Sequence, residues 1–484
     1  MRESAPFTAT VAWLALVALP CCDSGSSSPD SAEVLESSAS SGAPAPAAQG
    51  DPTGTPTEAS GPTPELTGEI TPVVIIVVDT LRADHLGCYG CERDTSPNLD
   101  RLAADSTLYR RAISQAPWTT PSIGSLMTSR YPSALGIRDA RSILDEEVVL
   151  LAEVLAPAGY TNSAVISHSF CSARWGFAQG FHEFDESMVV GHDAICGPGV
   201  TDRALQILDQ QKGERFFLWL HYFDPHFAYL SHPEYPFDPD PDYDGPITPG
   251  MPFGDLLRTR HRLKDPDLAE LTRMYDSEIR LTDEAIGRVL DRLRELNLYD
   301  RSLIVFTGDH GEEFMEHGDL GHTKNLYGEV MHVPLLIKLP NGVPQKVDRA
   351  VGLIDVYPTV LDVLGLTIEH DIAGRSLLKE PRAAKPRPVF FETSRKRILR
   401  GIVKGNLKMI HDVEADSYMM FDLEADPGEK KDIYSKNPDE KRALKGRLRR
   451  WITETMTLSS GQLDSLSPEE IARLRAMGYA VDDG

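Results

Sequence analysis

Positive charge is in short supply. The 484 residues carry 49 Lys and Arg against 73 Asp and Glu, a formal net charge of −24. A nucleic-acid-binding surface needs a basic stripe to neutralise phosphates, so no nucleic-acid polymer is expected as a partner. Cysteine is scarce too, and six in so long a chain do not make a disulfide scaffold. Long apolar runs are missing. The longest near the start, Val11 to Leu19 (VAWLALVAL), falls short of the roughly 20 residues a spanning helix needs. What is present is a hydrophobic fraction of 41%, which excludes wholesale disorder. The length suggests two or three domains.

The short apolar run reads as the core of a secretory signal. It leads into Leu19-Pro20-Cys21-Cys22, which resembles a bacterial lipoprotein box with Pro20 and Cys21 in place of the usual small residues. Residues 1–22 are therefore expected to be a signal peptide and lipobox. The protein is expected to be exported and lipid-anchored at Cys21 or Cys22, or else periplasmic or secreted. A lipid anchor would be its only membrane contact. Residues 23–70 hold eight acidic residues, no Lys or Arg, and little that is apolar. They read as a flexible Ser/Pro/Ala-rich tether.

Beyond the tether, apolar β-branched runs stop abruptly at polar residues. PVVIIVVDT (Pro72 to Thr80) ends at Asp79. RFFLWLHYFDPH (Arg215 to His226) ends in His221, Asp224 and His226. SLIVFTGDHGEE (Ser302 to Glu313) ends in Asp309 and His310. Further runs are NSAVISHS (Asn162 to Ser169) and VPLLIKL (Val333 to Leu339). Continuous apolar runs suit strands buried on both faces. Helical periodicity fills the gaps, most clearly from Leu268 to Leu298. The expected fold is α/β with a mainly parallel sheet. Ligands bind beyond the carboxyl ends of such strands. A lone Asp after a strand is usually a cap or turn residue, but three separate strands ending in Asp or His point to one rim. Those side chains suit Zn²⁺, Mn²⁺ or Mg²⁺.

Trp118-Thr119-Thr120-Pro121-Ser122 precedes a helical stretch. Pro121 suits the first helical position and Thr120 the N-cap, placing Thr119 just before a helix N-terminus, where anions are favoured. A metal-held hydroxyl there would be a nucleophile toward a phosphate or sulfate ester. Taken alone, the segment favours the plainer reading, in which both threonines are only caps.

Together these pieces resemble the sulfatase family of the alkaline phosphatase superfamily. The match runs over nearly all of Pro72 to Arg450, in the family's order: VVDTLRADHLGCYG, SPNLDRLA, APWTTPS with SRYPS, YDSEIRLTDEAIG, TGDHGEEFMEHG, VDRAVGLIDVYPTVLDVLG, AGRSL and FDLEADPGEKKDI. The resemblance implies a large catalytic domain over 71–387, its mainly parallel sheet flanked by helices. A small α+β subdomain with a short antiparallel sheet would follow over 388–457, LKMIHD (Leu407 to Asp412) being one strand, and then a tail over 458–484. It implies Asp79, Asp309 and His310 as metal ligands, with Thr119 as both ligand and nucleophile. His226 and His322 would hold the transferred group, and His221 and Lys324 are weaker candidates on the same rim. The cofactor would be a divalent ion: Zn, Mn, Mg or Ca.

The chain departs from the family where sulfatases carry a Cys or Ser that matures to formylglycine. Thr119 cannot give formylglycine, Ile123 replaces an Arg, and Asp79 is followed by Thr80 rather than a second Asp. These differences point toward Thr-nucleophile relatives: phosphoethanolamine transferases, lipoteichoic acid synthases and nucleotide phosphodiesterases. Cleavage of a phosphoester, favoured as a diester, or phosphotransfer is therefore expected, on a small-molecule, glycan or lipid substrate. Sulfate ester hydrolysis without formylglycine is the alternative, and an inactive, surface-tethered binding protein is the second.

Three smaller expectations complete the reading. Cys88, Cys91, Cys171 and Cys196 would form one or two disulfides, with no zinc at the lone CxxC. His317 and His332 are expected to be structural. Pro233 to Pro252 reads as a long surface loop.

Overall fold

A computed structural model describes residues 71–191, 194–235, 237, 242–379, 385–455, 461–462 and 472. The signal, the tether and nearly all of the tail therefore lie outside the described residues, as does part of the 233–252 loop.

The central sheet has nine strands. They are β1 (Val73–Val78), β2 (Thr107–Ile113), β3 (Thr161–Val165), β4 (Glu183–Asp185), β5 (Phe216–Tyr222), β6 (Leu303–Gly308), β7 (His332–Val333), β8 (Leu335–Lys338) and β9 (Gln345–Gly352). β1 lies between β5 and β6, parallel to both. β3 and β4 extend the parallel run beyond β5. On the other side β8 runs antiparallel to both β6 and β2, and β9 returns parallel to β2. The sheet is thus mixed and mainly parallel.

Every residue of β1 is buried, and alternate residues feed opposite cores. Val73, Ile75 and Val77 join one cluster, Val74, Ile76 and Val78 the other. That is why the run carries no polar alternation: neither face meets water. The helices that cover these faces include α1 (Pro97–Ala104), α2 (Thr119–Thr128), α3 (Gly197–Gln211), α4 (Asp265–Glu295) and α5 (Val356–Val363). α4 is the expected long amphipathic helix. Its Met274, Ile279, Ile286, Val289 and Leu293 are buried on the sheet side.

A second, antiparallel sheet comprises β10 (Val389–Thr393), β11 (Leu399–Lys404), β12 (Leu407–Asp412) and β13 (Ser417–Asp422), joined as a meander. Helix α6 (Pro438–Thr455) packs Leu444, Leu448 and Trp451 against one face of it. The other face shares a core with the large sheet through Ile113, Leu326, Met331 and Ala350.

Cys88, Cys91, Cys171 and Cys196 are all free, so the expected disulfides are not formed. Cys171 belongs to the core on one side of the sheet, and Cys88 packs against the core on the other. Side chains on opposite faces cannot reach disulfide geometry. His317 binds Glu329 and the Glu429 carbonyl, and His332 binds the Arg110 carbonyl, the structural roles expected of them.

Candidate functional site

The register of the three central strands builds the floor. Val78 is level with Tyr222 of β5 and Gly308 of β6. The next residues on β1 and β6 are Asp79 and Asp309, tied into the ladder by Asp79 N–H to the Tyr222 carbonyl (2.9 Å) and Asp309 N–H to the Val78 carbonyl (3.2 Å). Strand ends that coincide deliver side chains to one spot. Two local features keep the backbones close. A side chain at Gly308 would sit 2.7 Å from the Leu81 carbonyl oxygen. Thr80 takes the left-handed conformation (φ 51°), costing about 1 kcal/mol and turning the chain sharply away from Asp79.

Asp79, Asp309, His310 and Thr119 are fully buried. His310 Nε2 lies 3.4 Å from Asp79 Oδ1 and 3.4 Å from Asp309 Oδ2. The Thr119 hydroxyl is 3.5 Å from the same nitrogen. Asp309 Oδ1 accepts the N–H groups of Thr80 (3.2 Å) and His310 (2.7 Å). Its Oδ2, and both oxygens of Asp79, are buried without a hydrogen bond. Burial pushes the Asp79 carboxyl well above the carboxylate range, and the charges of Asp309 and Glu312 add to it. Burial also raises Asp309. His310 donates through Nδ1 to the Gly311 carbonyl (3.0 Å), leaving a lone pair on Nε2. Burial and the neighbouring His322 hold its imidazolium pKa well below 6.5, so the ring is neutral.

These are the properties of a cation site. Two buried carboxylates with orphaned oxygens would be costly unless a positive charge compensates them. Asp79, Asp309 and His310 present ligand atoms all within 4.8 Å of one another. Two carboxylates and a neutral imidazole, with a hydroxyl alongside, suit a hard to borderline divalent ion.

Thr119 is the first residue of α2, whose N-cap is Trp118. The helix thus begins two residues earlier than its sequence suggests, and Pro121 occupies the third helical position. Thr120 does not cap it; its hydroxyl donates to the Phe170 carbonyl (2.9 Å). Ser122 donates to the Asp309 carbonyl (2.6 Å), fastening the start of α2 to the end of β6.

The walls are histidines. His221, buried on β5, has Nε2 3.9 Å from Asp79 Oδ2, and burial pushes its pKa down to about 3. His226, from the loop after β5, has Nδ1 3.0 Å from the Phe227 carbonyl. Its ring centroid is 5.1 Å from that of His322, which is 4.5 Å from that of His310. Lys324 is drawn aside: its ammonium bonds Asp319 (2.7 Å) and the Leu320 carbonyl.

Two residues missed in the sequence belong here. His168 follows β3, and with Asp79 and His226 it forms a second group of converging ligand atoms. Its Nδ1 accepts the Phe170 N–H (3.1 Å), which leaves the proton on Nε2 and makes that nitrogen a donor rather than a ligand. Its signal was present, since AVISHS is another apolar run ending in polar residues. Glu312 is buried, with Oε1 3.0 Å from His322 Nδ1 and Oε2 3.4 Å from the Tyr229 hydroxyl. Its position directly after Asp309, His310 and Gly311 was the only hint.

Known proteins resemble this chain over much of its length. The sequence model of the Sulfatase family matches residues 71–366, more than half of the chain. That of the C-terminal region of N-sulphoglucosamine sulphohydrolase matches residues 316–456. Human iduronate 2-sulfatase is 25% identical over 60% of this chain and 64% of its own, so the chain spans less than two thirds of that relative. The multifunctional alkaline phosphatase superfamily protein PehA of Trinickia caryophylli is 26% identical over 74% of this chain and 90% of its own. Among solved structures, the phosphonate monoester hydrolase of Agrobacterium radiobacter superposes with a TM-score of 0.64 at 18% identity, over 83% of this chain and 99% of that one. At that identity the likeness is one of fold.

Proposed function

The chain belongs to the sulfatase family of hydrolases, and from that premise we propose that it is a divalent-metal-dependent phosphoesterase, acting on diesters by preference, with Thr119 as nucleophile. The observation that carries this reading is the placement of the Thr119 hydroxyl beside His310, over the buried carboxylates of Asp79 and Asp309. Asp79, Asp309, His310 and the Thr119 hydroxyl would hold the ion. Bound there, a divalent ion supplies Lewis-acid polarisation and a lowered hydroxyl pKa.

The residues of the chain divide the remaining work. Thr119 Oγ forms the new bond to phosphorus as the bond to the leaving oxygen breaks. The start of α2, the positive end of a helix, favours the anionic phosphoryl group. His168 Nε2–H is a donor for a phosphoryl oxygen. His226 donates Nδ1–H to the Phe227 carbonyl, so Nε2 is the nitrogen that takes up a proton and, once it holds one, passes it to the departing alkoxide. Glu312 orients His322 in the same way. A Thr ester cannot collapse to an aldehyde as a formylglycine adduct can, so water or a second alcohol must attack phosphorus to free Thr119. An alcohol acceptor would make the reaction a transfer.

Sulfate ester hydrolysis through the same Thr119 is the second reading. Kinship with proteins named as sulfatases favours it, and sulfate shares the size and shape of phosphate. The binding-only reading is set aside, because the kinship is with hydrolases. We further propose that the protein is exported and anchored through Cys21 or Cys22. Loss of labelled fatty-acid incorporation in a Cys21→Ala, Cys22→Ala double variant tests this.

The deciding experiment compares initial rates on nitrophenyl esters: a phosphate diester, a phosphate monoester and a sulfate. Metal-loaded wild type and Thr119→Ala are run side by side. Diester turnover that falls at least a thousandfold in the variant supports the proposal. Full-rate turnover by a folded, metal-loaded Thr119→Ala would falsify it, and preferential sulfate turnover would favour the second reading.

A further inference from the structure

In a strongly acidic chain, one group of cations stands out. The turn between β10 and β11 carries Arg395 and Lys396, and the small sheet brings this turn to the catalytic rim. Thr393 donates to the Thr323 carbonyl (3.4 Å), and Thr323 N–H donates to the Pro117 carbonyl (2.9 Å). The turn is therefore laced through the residue after His322 to the segment that ends in Trp118 and Thr119. The Arg395 guanidinium lies over the Trp118 ring, 4.8 Å from its centroid, and 5.9 Å from that of Phe170. Trp118 directly precedes the nucleophile.

Charge makes the same point. Arg395, Lys324 and Lys396 are the cations whose charges reach His322, beside the Trp118 segment. Besides burial, Lys396 is itself depressed by Lys324, Arg395 and Arg260, with Asp319 opposing. Lys324 is bonded to Asp319. Lys396 thus lies within electrostatic reach of three further cations, Arg395, Lys324 and Arg260, with Asp319 near it and Glu312 acting on Lys324. A neutral ester has no use for such a cluster of cations. A second anion on the substrate would.

We propose that Arg395 and Lys396 form a subsite for a second negative charge on the substrate, beside the reacting phosphoryl group. The substrate class is then an ester bearing a further carboxylate or phosphate near the cleaved bond. This rests on the phosphoesterase reading. A planar guanidinium held against an aromatic face is well placed to pair with such an oxyanion through two parallel hydrogen bonds, and the exposed ammonium of Lys396 adds a mobile point charge.

Non-cleavable probes test this without relying on turnover. The metal-loaded full chain is titrated calorimetrically with phenylphosphonate, (3-carboxyphenyl)phosphonate and 1,3-phenylenebisphosphonate. Wild type is expected to bind the two doubly functional probes about tenfold more tightly than phenylphosphonate. In an Arg395→Gln, Lys396→Gln variant with one metal per chain, that ratio is expected to fall to about two or below. No preference in wild type, or a preference that survives the double substitution, overturns the inference. Preference for the carboxylate probe alone assigns the subsite to carboxylates, and preference for the bisphosphonate alone assigns it to phosphates. Thr119-dependent diester turnover with no such preference leaves the phosphoesterase reading standing and removes only the subsite. A preference without Thr119-dependent turnover does the reverse.

Discussion

The floor and the mouth of the site are built on opposite principles. The floor comes from the ends of adjacent parallel strands, is fully buried and is acidic. The mouth comes from loops and from a turn of the second sheet, is partly open and is basic. Asp79 and Asp309 are positioned by the hydrogen-bond ladder itself. His322 and Arg395 depend on side-chain and loop contacts reaching across the molecule. A rigid acidic floor suits a task common to a whole family, and a loop-built rim suits the one that varies.

The contrast can be broken most violently at the floor. Asp309→Asn removes one of two buried carboxylates while keeping its shape and its acceptor for the Thr80 and His310 N–H groups. Bound metal, measured by elemental analysis, is expected to drop well below one per chain, and turnover to fall at least a thousandfold. Retained metal and activity would show that the floor is not a cation site.

The loop after β5, which also carries His226, gives the next effect. Leu230 N–H is bonded to Glu278 (2.6 Å), whose carboxyl burial pushes up to about 7. The folded protein therefore holds this proton to higher pH than the unfolded chain does. Its contribution to stability is complete below about pH 4.5 and lost as pH rises through 7, by about 3 kcal/mol. Glu278→Gln is expected to flatten that part of the stability profile in chemical denaturation run from pH 5 to 8. An unaltered slope would place the proton elsewhere.

The smallest effect separates holding a metal from holding a histidine. Glu312→Gln leaves an acceptor beside His322 but removes its charge. About a tenfold fall in kcat with metal content intact is expected. Loss of metal instead would move Glu312 from the mouth to the floor.

The two regions were also unequally legible in the sequence. The floor could be read because a strand buried on both faces is an uninterrupted apolar run, so its end is visible wherever a polar residue stops it. Asp79, His226, Asp309 and His310 were found that way. His168 obeys the same grammar and was passed over. Disulfides were expected from the exported context, but which face of the sheet a cysteine packs on is a tertiary fact. Thr120 has the composition of a cap, yet its hydroxyl serves Phe170 on another loop. Of the mouth, His322 and Lys324 were implied by the family resemblance, but Arg395 left no local trace: it lies 276 residues beyond Thr119, and only the packing of the second sheet brings its turn to Trp118.

The ladder that aligns Asp79 with Asp309 also sets an order of events. The Thr80 N–H and the Asp309 carboxylate that accepts it are 229 residues apart, and the strand between β1 and the outer parallel strands, β5, is drawn from the middle of that interval. The centre cannot exist in a nascent chain until residue 310 has emerged and the sheet has closed around β1. Closing loops of that size delays folding, since their entropy is lost before the contacts form. Shorter fragments, however well their N-terminal half collapses, have half a binding site and should hold no ion.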